Sequence, residues 1–394
     1  MQFILEKICI KGPLTETVEN AGGGSEIGST QRLLVSAREE VRAAALKEAV
    51  TRIQQPNQRI VRAWQNRDKL STAWLSALPG PEGLRGMAFS EALASILCMP
   101  SPACMSRLGA KVGKKRVDLF GDNIQSAALP GDHWRTRHDT VKMTLNSLFS
   151  WARLPATCEV WNLFSHLIPG EALTRMDTGR KRQAMIPDFR LQLPCLYGGG
   201  QTEYQLAELK MIGCCDTWYK SSPRSTVRAT DKRAQGLQQE YRRKAQKVDQ
   251  SISTQVHQVD GKGPVERRLD EFGDLIGLCF GAWGEGSEDV HKLIAAIAES
   301  RLTSQGLQRG SPGSKQELGL ITGQIRRRLS LAVIKAQTSC LLARLHQVGP
   351  GNAKLAKKRD WALIEDEKMR SERRAQWLRK FDGIKTLQKG MIKT

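Results

Sequence analysis

The chain has 394 residues and carries 61 Lys and Arg against 40 Asp and Glu, a formal charge of +21. That balance favours a polyanion as partner, although a basic protein that is merely soluble, or one that binds ribosomal RNA, meets the same composition. No apolar run approaches the roughly twenty residues that cross a bilayer, so neither a transmembrane helix nor a membrane partner is expected, and nine irregularly spaced cysteines do not make a secreted disulfide framework.

The N-terminal MQFILEKICIKGP is a poor signal peptide, so an intracellular location is expected, nuclear in a eukaryote. Residues 1–29 read as a flexible leader, rich in Gly and Ser over 21–28. From residue 30, Leu33, Leu34, Ala37, Val41, Ala44, Leu46 and Val50 recur near helical spacing. Pro56 divides this run from a second one through Ile60, Val61, Trp64 and Trp74, and Leu78-Pro79-Gly80-Pro81 is a stop. A short helix follows over 89–97. Residues 30–105 therefore form a helical module in which no chemistry is visible.

Cys98, Cys104, His133 and His138 come next. By type they are zinc ligands, but zinc sites use short fixed spacings and these gaps are irregular, so buried thiols are the simpler account. The spacing predicts a helix over 136–151, with His138, Val141, Leu145, Leu148 and Ala152 on one stripe. Residues 157–164 (TCEVWNLF) read as a strand. Glu159 lies in it, and a carboxylate in an apolar run needs a partner or a metal, unless it is an ordinary edge-strand glutamate. Arg175, Arg180, Lys181 and Arg182 make a basic loop, suited to a phosphate backbone or to plain solvation.

Residues 185–193 and 202–212 read as two strands around a turn holding Gly198, Gly199 and Gly200. Side chains alternate along a strand. Glu208 and Lys210 therefore share one face, and Ala207, Leu209 and Met211 the other. Paired as a hairpin, the two runs bring Asp188 to Glu208 and Lys210. Two carboxylates and an ammonium in one place suit a divalent metal and a phosphate.

Residues 231–249 are amphipathic, with Ala234, Leu237, Tyr241, Ala245 and Val248 on one face and Gln238 beside it. A helix over 265–275 and a buried strand over 276–283 follow. Ser287 is placed to cap the next helix, with Glu288 and Asp289 in its first turn. Residues 316–347 predict a long helix carrying Arg326, Arg327 and Arg328. The stretch beyond Gly349 mixes basic residues with Trp361 and Trp377, as a nucleic-acid arm or a solvated tail does.

Pro187-Asp188 followed by Glu208-Leu209-Lys210 resembles the signature of the PD-(D/E)XK nuclease superfamily. Arg137-His138-Asp139 matches the basic-His-acid motif of the endonuclease region at the C-terminal end of non-LTR retrotransposon polyproteins. Val117-Asp118-Leu119-Phe120-Gly121-Asp122 resembles the element before that motif, with Asn123 where a His is expected and no Cys after it. The resemblance covers residues 85–300. It implies an α/β fold with a restriction-endonuclease-like αβββαβ core over 106–300 and added N-terminal and C-terminal helices. The latter would occupy 301–349, before a basic helical or disordered tail over 350–394. It further implies a phosphodiester-hydrolysing DNA endonuclease using Mg²⁺ (or Mn²⁺). Asp188, Glu208, Lys210 and Glu159 would be catalytic. Asp188, Glu208 and the Leu209 carbonyl would hold the metal, and Arg137, His138 and Gln238 would support the site or touch nucleic acid. His138 is equally readable as a histidine packed at a helix start. No reverse-transcriptase Tyr/Phe-X-Asp-Asp run is present. The alternative is a catalytically inactive nucleic-acid-binding remnant of such a domain.

Overall fold

A computed structural model describes residues 58–76, 83–84, 86–127, 129–160, 163–171, 185–193, 204–214, 218–219, 227–254 and 257–348. The leader, the expected helices before Gln58, the 175–182 basic loop, the three-glycine turn and the C-terminal tail lie outside them. Contacts divide the chain between Val61 and Arg62, and nearly all the described residues belong to the unit that begins at Arg62.

In chain order the helices and strands are α1 (Gln58–Asn66), α2 (Gly86–Ile96), α3 (Pro102–Met105), β1 (Lys111–Val112), β2 (Lys115–Arg116), α4 (Asp122–Ser126), α5 (His133–Ala152), β3 (Ala156–Cys158), β4 (Phe189–Leu191), β5 (Gln205–Met211), α6 (Ala229–Ser251), α7 (Pro264–Glu271), β6 (Ile276–Phe280), α8 (Glu288–Ser304) and α9 (Ser314–Leu345). The main sheet has the order β3-β4-β5-β6. β3 pairs antiparallel with β4 and β4 with β5, while β5 and β6 run parallel. The fold is mixed α/β. Among the described residues no helix is long and apolar enough to cross a membrane.

Both faces of the sheet are covered, as a sheet with a parallel crossover requires. On one face Phe189, Leu191, Ala207, Leu209, Leu278 and Phe280 pack with Val141, Leu145 and Leu148 of α5, Ile294 of α8 and Ile325 and Leu329 of α9. On the other, Leu206 and Cys279 meet Leu237, Tyr241 and Ala245 of α6 and Val265 and Leu269 of α7. The alternation in β5 is the reason one short strand serves two cores. Gly277 permits the close approach of α6. A Cβ there would stand 2.6 Å from the Ala234 backbone.

Two expected strands are cut short, and one expected helix cap bonds differently. The strand expected over 157–164 stops at Cys158, because Glu159 takes a left-handed φ of 51° that breaks the pleat. The Glu159 N–H still reaches Asp188 O at 2.9 Å and the Val160 N–H reaches Pro187 O at 3.1 Å, so the chain stays beside β4's approach. The strand expected over 185–193 is ordered as β only at Phe189–Leu191. Ser287 sits at the N-cap of α8, but its hydroxyl makes no cap bond. It donates instead to Gly277 O at 2.6 Å and accepts from Cys279 N at 3.2 Å, fastening β6 to the helix start.

Two carboxylates, Asp68 and Glu285, tie segments together around the end of β6 and the starts of α6 and α8. Asp68 accepts from Leu70 N and Ser71 N through Oδ1, and through Oδ2 from Gly286 N at 3.0 Å, His291 Nε2 at 2.7 Å and Arg228 Nη1 at 3.2 Å. Glu285 is fully buried. It accepts from Tyr219 OH at 2.6 Å and Trp283 N at 2.9 Å. Burial pushes its carboxyl up from 4.5 to about 7, against the pull of those donors.

A raised folded pKa means the folded state holds a proton that the unfolded chain releases. The resulting stabilisation is full below pH 4.5 and is lost as pH rises through about 7. The expected size is about 3 kcal/mol. Urea midpoints for wild type and Glu285→Gln, compared near pH 5 and pH 8, should fall more steeply with pH in the wild type, the remaining slope of the variant coming from groups such as His138. Gly277→Ala should cost about 1–3 kcal/mol in the same experiment, since α6 and β6 must separate.

Candidate functional site

The register Phe189↔Ala207 sets Asp188, the residue before β4, opposite Glu208. Sequence alternation then places Lys210 on the face of Glu208, and its Nζ lies 2.5 Å from Glu208 Oε1. The expected meeting of Asp188, Glu208 and Lys210 is thus realised at one end of the β4–β5 pair. Asp188 and Glu208 are buried, while the Lys210 side chain is about a third exposed.

Helix α5 supplies the other wall. His138 Nε2 donates to Asp188 Oδ2 at 3.1 Å, and His138 Nδ1 lies 3.1 Å from Asp139 Oδ1. The Leu209 backbone N–H donates to the same Asp188 Oδ2 at 2.9 Å. Burial disfavours charge on both groups. The His138 contact nevertheless holds the Asp188 carboxyl below the usual range, with help from Leu209 N–H and the Lys210 ammonium. Burial likewise opposes an imidazolium at His138, and Asp188 and Asp139 overcome it, raising its pKa. His138 therefore begins α5's buried stripe and supports the carboxylate at the same time.

Glu159 also arrives here, but from the bend after β3 rather than from a strand interior. Its carboxylate is half-exposed and takes a 2.6 Å bond from Lys142 Nζ. Lys142 lies 3.8 Å from Asp188 Oδ1 and 3.6 Å from Asp139 Oδ1. Reading the sequence for motifs misses this lysine. One signal stood in the pattern: a charged residue directly after Val141, one helical turn beyond His138, on the buried side of α5.

Tyr241 of α6 is the second residue missed. Its hydroxyl donates to Glu208 Oε2 at 2.8 Å. Burial, and after it the Glu208 charge, push the phenol far above its usual pKa, so it stays a donor. The apolar face of α6 hid it, because a tyrosine in a core stripe announces only its ring. Gln238, expected to approach the site, is instead half-buried and donates to Asp274, so the sequence expectation fails there. Arg137 does not face outward toward a nucleic acid. Its guanidinium donates to Met211 O at 3.2 Å, at the end of β5, and its burial lowers its pKa.

The cysteine–histidine set does not converge. His138 is committed to Asp188, His133 Nε2 accepts from Gln347 at 2.8 Å, and Cys104 is buried with its thiol pushed up to about 12. Cys98 Sγ accepts from Arg67 at 3.2 Å. Among the described residues no three His, Cys, Asp or Glu side chains are grouped to hold a metal ion. Asp118, in the element before the His motif, is a turn-former, taking the N–H groups of Phe120, Asp122 and Asn123.

Tyr241→Phe removes the donor to a buried carboxylate while keeping the ring. The expected loss is about 1–3 kcal/mol of folding stability, read from urea denaturation. Comparison with protein-family models, with curated proteins and with solved structures yields no match, so the geometry of these side chains carries the reading of the site by itself.

Proposed function

We propose that the chain is a metal-dependent DNA endonuclease built on a restriction-endonuclease-like core. The observation that supports this most is the gathering of Glu159, Asp188, Glu208 and Lys210 beside His138, at one end of a β4–β5 pair. The order α5, β3, β4, β5, α6, β6, with α7 inserted before β6 and with β5 and β6 parallel, supports such a core. A retroelement origin draws its support from Arg137-His138-Asp139 and from the Asp118 turn before it.

The donor set suits a hard divalent cation. Mg²⁺ and Mn²⁺ favour carboxylate and carbonyl oxygens, and Mg²⁺ commonly takes only one or two protein carboxylates beside water and phosphate. Asp188 and Glu208, with the Leu209 carbonyl, would hold it. When bound, the ion would supply Lewis-acid stabilisation of the extra negative charge on the phosphate. Glu208, pinned by Tyr241 and Lys210, presents its carboxylate in a fixed pose. Lys210, held by Glu208 and partly exposed, would meet a phosphate oxygen or orient the attacking water. His138 keeps Asp188 ionised and in place.

The second reading is a nucleic-acid-binding protein that keeps the fold without cutting. Both Glu208 oxygens already have partners, which favours it, and the charge of +21 serves either reading. In a supercoiled-plasmid assay with Mg²⁺ or Mn²⁺, the wild type should nick. Asp188→Ala and Lys210→Ala should lose at least about a hundredfold of that rate, with DNA retention on gels largely unchanged. Salt-sensitive binding by the wild type with no cleavage in either metal would instead select the binder.

A further inference from the structure

Three carboxylates, from Asp139, Glu159 and Asp188, face one ammonium. Lys142 Nζ stands 3.6, 2.6 and 3.8 Å from their nearest oxygens, and only 10% of its side chain is exposed. A lysine on the buried side of a helix is rare unless it is paired. This one is over-supplied with partners. Two carboxylates as close to one point as those of Glu159 and Asp188 repel each other without a cation between them.

We propose that Lys142 is a built-in cation. Its tethered ammonium neutralises the Glu159–Asp188 side of the cluster, so that the site takes a single divalent ion at Asp188 and Glu208, and Glu159 is not a ligand. This rests on the metal-dependent reading above and sharpens it. An ammonium carries one charge and accepts no lone pair, so it balances the carboxylates without activating water. Lys142 is then a positioning residue: it fixes Glu159 and steadies Asp188 Oδ1, and does not touch the scissile phosphate.

The test is Mn²⁺ titration of the full chain, reading free Mn²⁺ by electron paramagnetic resonance. The wild type should bind about one Mn²⁺ tightly, and Lys142→Met about two, as the freed carboxylates gain an ion. Lys142→Arg should stay at the wild-type count, since it keeps the charge. Mn²⁺ should raise the melting temperature of Lys142→Met more than that of the wild type. Glu159→Gln should leave the wild-type count unchanged, and it needs no disruption of Lys142. Two tight ions in the wild type, loss of the wild-type ion in Glu159→Gln, or equal counts in wild type and Lys142→Met would each overturn the role of Lys142 alone. No bound Mn²⁺ in the wild type would overturn the metal-dependent reading itself, and this proposal with it.

Discussion

The Asp188 carboxylate is the interaction on which the rest of the site depends. One oxygen accepts from His138 of α5 and from the Leu209 backbone of β5, while its own chain leads into β4. A helix and two strands are thus registered on a single buried group. Desolvating a carboxylate is costly, and only several donors at once offset it. Here they do, since the acid remains below its usual pKa although it is buried. Moving α5 along its axis or slipping β5 by one residue would strip donors from that oxygen. The slip would also turn Ala207 and Leu209 out of their core.

The surrounding charges follow from that constraint. Glu208 sits opposite Asp188, and like charges so placed demand compensation. Lys210 and Tyr241 answer Glu208, while Lys142 answers Glu159 and the far oxygen of Asp188. The donors come from α5, β5 and α6, elements on both faces of the sheet. The sheet end is therefore a charged seam between two apolar cores rather than an exposed edge. Under the reading proposed above, such a seam would set acids near enough to grip a cation, with an ammonium at the rim.

A second arrangement of this kind fastens the starts of α6 and α8. Asp68 gathers N–H groups from its own turn, from Gly286 and from Arg228 and His291 at the starts of α6 and α8. Nearby, Glu285 is held by Tyr219 and Trp283. These acids make their bonds within the protein and serve the fold. Asp188 and Glu208 differ in having a partly exposed lysine and a half-exposed glutamate beside them. Partial exposure next to buried charge separates a site from a staple.

By itself the sequence determined the face of each β5 residue, the buried stripe of α5 and the apolar face of α6. Two-residue and helical periodicities are local properties of the backbone. It offered the meeting of Asp188 with Glu208 and Lys210 on the condition that the two runs paired as a hairpin, and the pairing register Phe189↔Ala207 was left to the tertiary structure. Tertiary structure decided what those residues touch. His138 pairs with Asp188 because α5 lies across the β4–β5 end, and no local pattern encodes that crossing. Glu159 left its expected strand for a left-handed bend, and Lys142 and Tyr241 entered the site from apolar helix faces where only their rings or stems were legible. Gln238 turned to Asp274 because the helix rotation is fixed by Leu237 and Tyr241 in the core, not by the polar residue between them. Long-range packing, which sums small dispersion and burial terms over both faces of the sheet, sets those rotations, and a sequence read in short windows does not contain the sum.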